Sequence, residues 1–176
     1  MRLFYAVMLD DSCKMALDSC CRALRPYLEK GRFTLSENLH LTLVFLGEAD
    51  LGAAKSCLHR LQAAPFEIVI AGLGRFHQPG GDVLWAGVQP DEGLLRAQRS
   101  LEALSRQAGF AVENRLYRPH LTLARGVRLT AGTNLSGLDS LLPSCGTQVK
   151  AVSLMESRRE DGTLRYVERE RKNLKA

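Results

Sequence analysis

The chain lacks most of the features that mark a specialised class. No apolar run in its 176 residues approaches the roughly 18 that a membrane-spanning helix needs, so the sequence offers no span. The five cysteines, Cys13, Cys20, Cys21, Cys57 and Cys145, are odd in number, include an adjacent pair and show no C-x-x-C spacing. Neither a disulfide framework nor a zinc ribbon follows from that set, and the expectation is reduced thiols in a cytoplasmic setting. Aromatic residues make up 6% with a single tryptophan, and 15 glycines with 6 prolines form no low-complexity tract. Collagen-like repeats and coiled coil are therefore excluded. What remains is an ordinary globular mix, 45% hydrophobic and 24% charged, which buries a core and rules out disorder. The length fits one domain or two small lobes.

Lys and Arg number 24 against 19 Asp and Glu, a net charge of +5 that favours anionic partners without proving one. The opening apolar stretch Leu3 to Leu9 follows Arg2 and runs straight into Asp10 and Asp11. That pattern reads as a buried strand and not as a signal peptide.

From Asp10 or Asp11, apolar side chains recur at Cys13, Leu17, Cys20, Cys21, Leu24 and Leu28, which predicts a helix ending at Gly31 with Pro26 kinking its last turn. Residues 32–36 and 39–47 read as extended, a second helix is expected from Asp50 to Ala63, and Phe66, Ile68 and Ile70 begin a strand that pairs with Val83 to Val88. Asp91 opens a third helix whose stripe is Leu94, Ala97, Leu101, Leu104 and Ala108, stopped by Gly109. A strand follows at about Arg118 to Arg125, residues 127–145 show no period and read as loop, and Val149 to Arg158 with Leu164 to Glu168 form a hairpin about Asp161-Gly162. About seven strands with three helices between them predict an α+β fold.

One feature points to chemistry. His-Leu-Thr-Leu occurs at 40–43 and again at 120–123, and two of the four histidines lie in it. On a strand, residues i and i+2 share a face, so His40 with Thr42, and His120 with Thr122, project together while the leucines turn to the core. A single H-x-T is a weak signal, because a strand histidine is most often a hydrogen-bonded structural residue. Two such polar faces on core-like strands are costly unless they line a wet cleft. In-line displacement at phosphorus wants such a pair: attacking and leaving oxygens lie on opposite sides, and each needs a proton handler. One imidazole can be neutral as base while the other is protonated as acid, and the two threonines can donate to the non-bridging oxygens.

With these residues the sequence resembles the two-histidine phosphoesterases, in particular the RNA 2',3'-cyclic phosphodiesterases also called 2'-5' RNA ligases. The likeness rests on Arg2 to Val7, Glu37 to Leu43 through Phe45-Leu46-Gly47, Leu73-Gly74-Arg75-Phe76, Val83-Leu84-Trp85 and Arg118-Pro119-His120-Leu121-Thr122-Leu123-Ala124-Arg125. The resemblance implies a bilobal α+β fold over residues 1–176 as one domain. Two pseudo-symmetric halves with antiparallel sheets surround a central cleft, each half supplies one motif, and helices lie outside. It further implies His40 as proton donor to the leaving 3'-oxygen, His120 as proton acceptor from water, Thr42 and Thr122 on the phosphate, and no metal or other cofactor. The product would be a 2'-phosphomonoester, with 2'-5' ligation as the reverse reaction. The implied partner is RNA with a 2',3'-cyclic phosphate end, or a cyclic nucleotide, and the chain is expected to be a monomer away from membranes. Arg125 matches the family's H-x-T-x-A-R pattern and is a candidate substrate contact or a solvated strand-end arginine. Phe33 stands where many relatives carry Trp, and the tail from Glu168 is more charged than is usual there.

His59 beside Arg60 reads as a surface histidine, and His77 as a loop histidine near the rim. Arg158-Arg159 and the run Arg169 to Lys175 are either an electrostatic footprint for RNA or a solvated hairpin and tail. Tyr117 and Tyr166 either stack on a base or pack against their strands. Two other classes stay open: an RNA-binding module of this fold without turnover, and a structural domain with coincidental motifs. Within the enzyme class, a relative acting on another cyclic phosphate or a 2'-5' oligonucleotide is also open.

Overall fold

In the computed structural model, which describes residues 1–175, the first strand, β1 (Arg2–Met8), is buried on both faces. Leu3, Tyr5 and Val7 enter the main core, while Phe4 and Ala6 pack with Met155 on the opposite face. The Tyr5 hydroxyl is satisfied inside the core, donating to the Ala54 carbonyl oxygen at 2.8 Å.

Helix α1 (Asp11–Leu24) is capped by Asp10, whose carboxylate accepts from the Cys13 N–H. The helix stops seven residues before Gly31, unlike the reading from periodicity. Pro26 sits in a 3-10 turn, Arg25–Tyr27, and Leu28, placed on the helix stripe from sequence, instead opens β2 (Leu28–Phe33). Leu28 is buried all the same, so helical spacing at that one position was coincidence with a strand's core face. A 3-10 turn at Ser36–Asn38 leads into β3 (His40–Glu48). Then come α2 (Leu51–Arg60), capped by Asp50, β4 (Phe66–Phe76), β5 (Asp82–Val88) and α3 (Glu92–Gln107), capped by Asp91. Strand β6 (His120–Leu129) runs past the expected end at Arg125, because Gly126 at φ +63° lets the chain bulge and resume pairing. A 3-10 segment at Leu135–Leu141 occupies part of what reads as loop, and a short β7 (Gly146–Val149) follows it, ending where the sequence places the start of the hairpin. The last two strands, β8 (Ala151–Glu160) and β9 (Thr163–Asn173), form the expected hairpin, with Asp161 and Gly162 both at positive φ in its turn.

The described residues therefore hold nine strands in one antiparallel sheet, in the order β7-β4-β5-β6-β3-β1-β8-β9, with β2 paired to β6. The α+β expectation stands, with two strands more than the sequence showed. The order is symmetric about the β6/β3 junction, where β5 answers β1, β4 answers β8 and β7 answers β9. β3 and β6 pair only at Leu41 and Leu121, and β6 is then taken over by β2 from Ala124 to Leu129. The two motif strands thus meet at one point and part, and the gap between the halves opens there. No helix among the described residues is long and apolar enough to cross a membrane.

The five cysteines are all free. Cys13 and Cys145 are neighbours, with their sulfur atoms 2.9 Å apart, and burial pushes the thiol of Cys21 up to about 12.

Candidate active site

Leu41, Leu43, Leu121 and Leu123 are all at most 2% exposed, which turns the residues between them outward. His40, Thr42, His120, Thr122 and Arg125 therefore line a single cleft of about 1130 Å³ between the two halves. The structure brings all five sequence-selected residues together.

The two imidazoles are held alike. His40 Nδ1 donates to the Asn38 carbonyl oxygen at 2.7 Å, and His120 Nδ1 donates to the Arg118 carbonyl oxygen at 2.6 Å. Each ring reaches back to the carbonyl two residues upstream, so in the neutral state the proton sits on Nδ1 and the lone pair on Nε2. Asn38 is itself buried, with its side-chain amide donating to the Leu164 carbonyl oxygen at 3.0 Å, which fixes the carbonyl that orients His40. In His40 the free Nε2 accepts from the Thr42 hydroxyl at 3.0 Å.

Aromatic rings bracket each histidine, and of these the sequence singled out only Tyr166, to stack on a base or pack against its strand. Phe4 and Tyr166 each lie with ring centroids 4.9 Å from that of His40, Tyr166 edge-on. Phe76 lies edge-on to His120 at 5.0 Å and Trp85 at 6.0 Å. Trp85 fits because its cross-strand partner is Gly74, where a Cβ would lie 2.1 Å from the indole ring. The signal available was β1's unbroken apolar run, which already implied that both of its faces were covered.

Burial lowers the pKa of both histidines. Desolvation takes His40 down to about 4, against the opposing pull of the Asn38 carbonyl, and the positive charge of Arg125 pushes the same way. His120 is lowered by the same causes, desolvation first, with Arg115 and Arg125 adding positive charge. Arg125 is thus felt at both rings. Tyr166 is raised by burial, an effect that Arg125 opposes.

Tyr117 packs and does not stand free: its buried hydroxyl donates to the Thr42 carbonyl oxygen at 3.0 Å, tying the segment before the second motif to the first. Tyr166 likewise packs on His40 while lining the cleft. Arg158 and Arg159 are at the cleft wall, with Arg158 paired to Glu160 at 2.7 Å. The tail run belongs to β9 and is largely neutralised there: Arg169 pairs with Glu156 at 3.6 Å, Arg171 with Glu168 at 3.8 Å, and Lys172 donates to the His59 carbonyl oxygen. His59 is exposed near Glu170, and His77 faces Asp82 at 3.2 Å outside the cleft. Among the described residues no group of three or more His, Cys, Asp or Glu side chains is placed to hold a metal ion.

The cleft can therefore present two imidazole Nε2 atoms, two hydroxyls and the Arg125 guanidinium, with further arginines on its walls, to a small anion. The model of the 2'-5' RNA ligase superfamily matches residues 15–161, a span that holds both motifs. An RNA 2',3'-cyclic phosphodiesterase of Archaeoglobus fulgidus is 33% identical over 129 residues, 71% of this chain and 72% of that protein. One of Methanothermobacter thermautotrophicus is 37% identical over 134 residues, 70% of each. The crystal structure of Escherichia coli LigT in apo form superposes with a TM-score of 0.82 at 26% identity, covering 99% of this chain and 98% of that one.

Proposed function

The chain belongs to the 2'-5' RNA ligase superfamily, and from that membership and the cleft's geometry we propose that it hydrolyses RNA or nucleotide 2',3'-cyclic phosphate to the 2'-phosphomonoester. Residues 1–176 act as one unit in this reading, with one motif from each half. The observation that carries it is the shared anchoring of His40 and His120 through Nδ1, which leaves His120 Nε2 free and His40 Nε2 bonded only to the Thr42 hydroxyl on one cleft.

His120 is the base. Its neutral Nε2 takes a proton from water as the water oxygen bonds to phosphorus. The bond from phosphorus to the 3'-oxygen breaks on the opposite side, and His40, protonated, gives its Nε2 proton to that oxygen. Charge growing on the two non-bridging oxygens is met by the hydroxyls of Thr42 and Thr122 and by Arg125. In the free protein Thr42 is bonded to His40, so substrate must draw that hydroxyl away as it binds. His40 is neutral at pH 7 in the empty cleft, with its pKa near 4. The anionic phosphodiester raises that pKa and supplies the condition for an acid at this position. With a 5'-hydroxyl in place of water, the same groups serve 2'-5' ligation: His120 takes the hydroxyl proton as its oxygen bonds to phosphorus, the bond to the 3'-oxygen breaks, and that oxygen takes the His40 proton.

The test is hydrolysis of a 2',3'-cyclic mononucleotide and of a cyclic-phosphate-ended RNA in EDTA, by wild type and by folded His40→Ala and His120→Ala. The expected result is a 2'-phosphate product and a loss of roughly 10² to 10⁴ in each variant. Turnover indifferent to both histidines would overturn the reading.

A further inference from the structure

Strand β2, which the sequence reading split between the end of a helix and the extended run 32–36, creates an unusual charge arrangement on β6. Lys30 is the cross-strand partner of Arg128, and Arg32 is the partner of Arg125. Like charges directly opposite each other on neighbouring strands repel. None of the four makes an ion pair with an acidic side chain among the described residues, although nine of the chain's other fifteen arginines do. All four are exposed. Arg125 stands in the catalytic cleft beside both histidines, Lys30 and Arg128 line a second, polar groove, and Arg32, which lines neither, is placed opposite Arg125 across the strand pair. Gln78 lines both cavities, so the groove continues from the cleft.

The floor of that groove is backbone. Gly81 lies so close to Gly126 that a Cβ on Gly81 would sit 2.6 Å from the Gly126 carbonyl carbon, and Gly80, Gly126 and Gly132 all have φ between +63° and +86°. The one acidic side chain that lines it, Asp82, is already engaged by Arg75 at 3.4 Å and His77 at 3.2 Å. A groove with unpaired cations along one wall and little side-chain bulk on its floor suits a chain of phosphates.

We propose that Lys30, Arg32 and Arg128 form a track for the phosphate backbone of single-stranded RNA, leading the nucleotides upstream of the cyclic end out of the cleft past Gln78. This deepens the proposed function, on which it rests: the preferred substrate is a cyclic-phosphate-ended RNA chain of several nucleotides, and a cyclic mononucleotide is handled by the cleft alone.

The test compares wild type, the triple variant K30Q/R32Q/R128Q and a control, K14Q/K150Q/K175Q, which removes as much charge from positions on neither β2 nor β6. Each is assayed with a 2',3'-cyclic mononucleotide and with a cyclic-phosphate-ended hexaribonucleotide, from 50 to 200 mM salt. Binding of a labelled hexaribonucleotide ending in a 2'-phosphate is measured in parallel by anisotropy. Each phosphate contact on a single strand contributes about 0.7 to the slope of log affinity against log salt, so losing three flattens the slope by about 2. The expected result is that flattening in the triple variant only, with RNA kcat/KM down at low salt and mononucleotide turnover retained. Equal losses in variant and control, or an unchanged slope in the variant, would overturn the track. Absence of wild-type turnover on both substrates would instead sink the proposed function, while the binding comparison would still decide the track.

Discussion

Leu41 and Leu121 are cross-strand partners, and each is the second residue of its His-Leu-Thr-Leu copy. An antiparallel pair that sets equal motif positions opposite each other has its local two-fold axis between them. His40 and His120 are therefore related by that axis, which explains why each finds the same carbonyl two residues back and the same kind of aromatic bracket. The symmetry stops at the environment. His40 lies deeper, against Phe4 and Tyr166, and its Nε2 is already bonded to Thr42, whereas His120 Nε2 has no such partner among the described residues.

This asymmetry sets the pH dependence. If the reacting state needs His40 protonated and His120 neutral, kcat/KM follows a bell bounded by the two pKa values of the free protein, whichever group owns which. Those values are about 4 for His40 and below the ordinary 6.5 for His120. The optimum of kcat/KM is expected on the acid side of pH 6.5, with a fall of about tenfold per unit at higher pH. The profile of kcat should be displaced to higher pH, since bound phosphodiester favours the charged rings. Initial rates from pH 4 to 9 check this, and an optimum of kcat/KM at or above pH 7.5 contradicts it.

The histidine pair was readable because its information is local: four consecutive residues with a two-residue period, present twice. What escaped was information spread over several strands. Phe4, Tyr166, Phe76 and Trp85 converge on the histidines from β1, β9, β4 and β5, and no spacing along the chain records that. β2 escaped because Leu28 fell on the helical stripe, and the far end of β6 because Gly126 reads as a terminator where the chain only bulges. The cationic pairs of β2 and β6 were invisible for the same reason, and the conspicuous basic run after Glu168 proved to be mostly paired.

Thr42→Val and Thr122→Val should both slow catalysis. A hydrogen bond to a charged group contributes about 1.5–3 kcal/mol, or roughly 10 to 10² in rate when the bond is to the transition state. Thr42→Val also removes the donor at His40 Nε2 in the free protein, so its acid limb should move while that of Thr122→Val should not. Parallel pH profiles of the two variants provide the check, and identical shifts would count against the distinct role of Thr42.

Tyr117→Phe deletes one oxygen and leaves the Thr42 carbonyl without its donor. The stability cost should be about 1–2 kcal/mol, read from the urea midpoint. Because the bond joins the segment preceding His120 to the strand of His40, kcat should fall several-fold with little change in KM. A stability loss with unaltered kcat would make the bond structural only.

Burial of His40 also makes the fold acid-sensitive below pH 6.5. The unfolded imidazole binds a proton near pH 6.5 and the folded one only near pH 4, so the neutral ring favours the folded state above pH 6.5. Between pH 6.5 and 4 the unfolded chain gains a proton that the folded chain refuses, and stability falls through that window, levelling below it. The full loss from this group is roughly 3 kcal/mol, with His120 adding to it in the same direction. His40→Asn keeps a donor for the Asn38 carbonyl and removes the titration. Urea unfolding at pH 7 and pH 4 should show the variant losing less stability than wild type by that amount. An equal loss in both proteins would mean that the ring is hydrated in the free cleft and already available as an acid before substrate arrives.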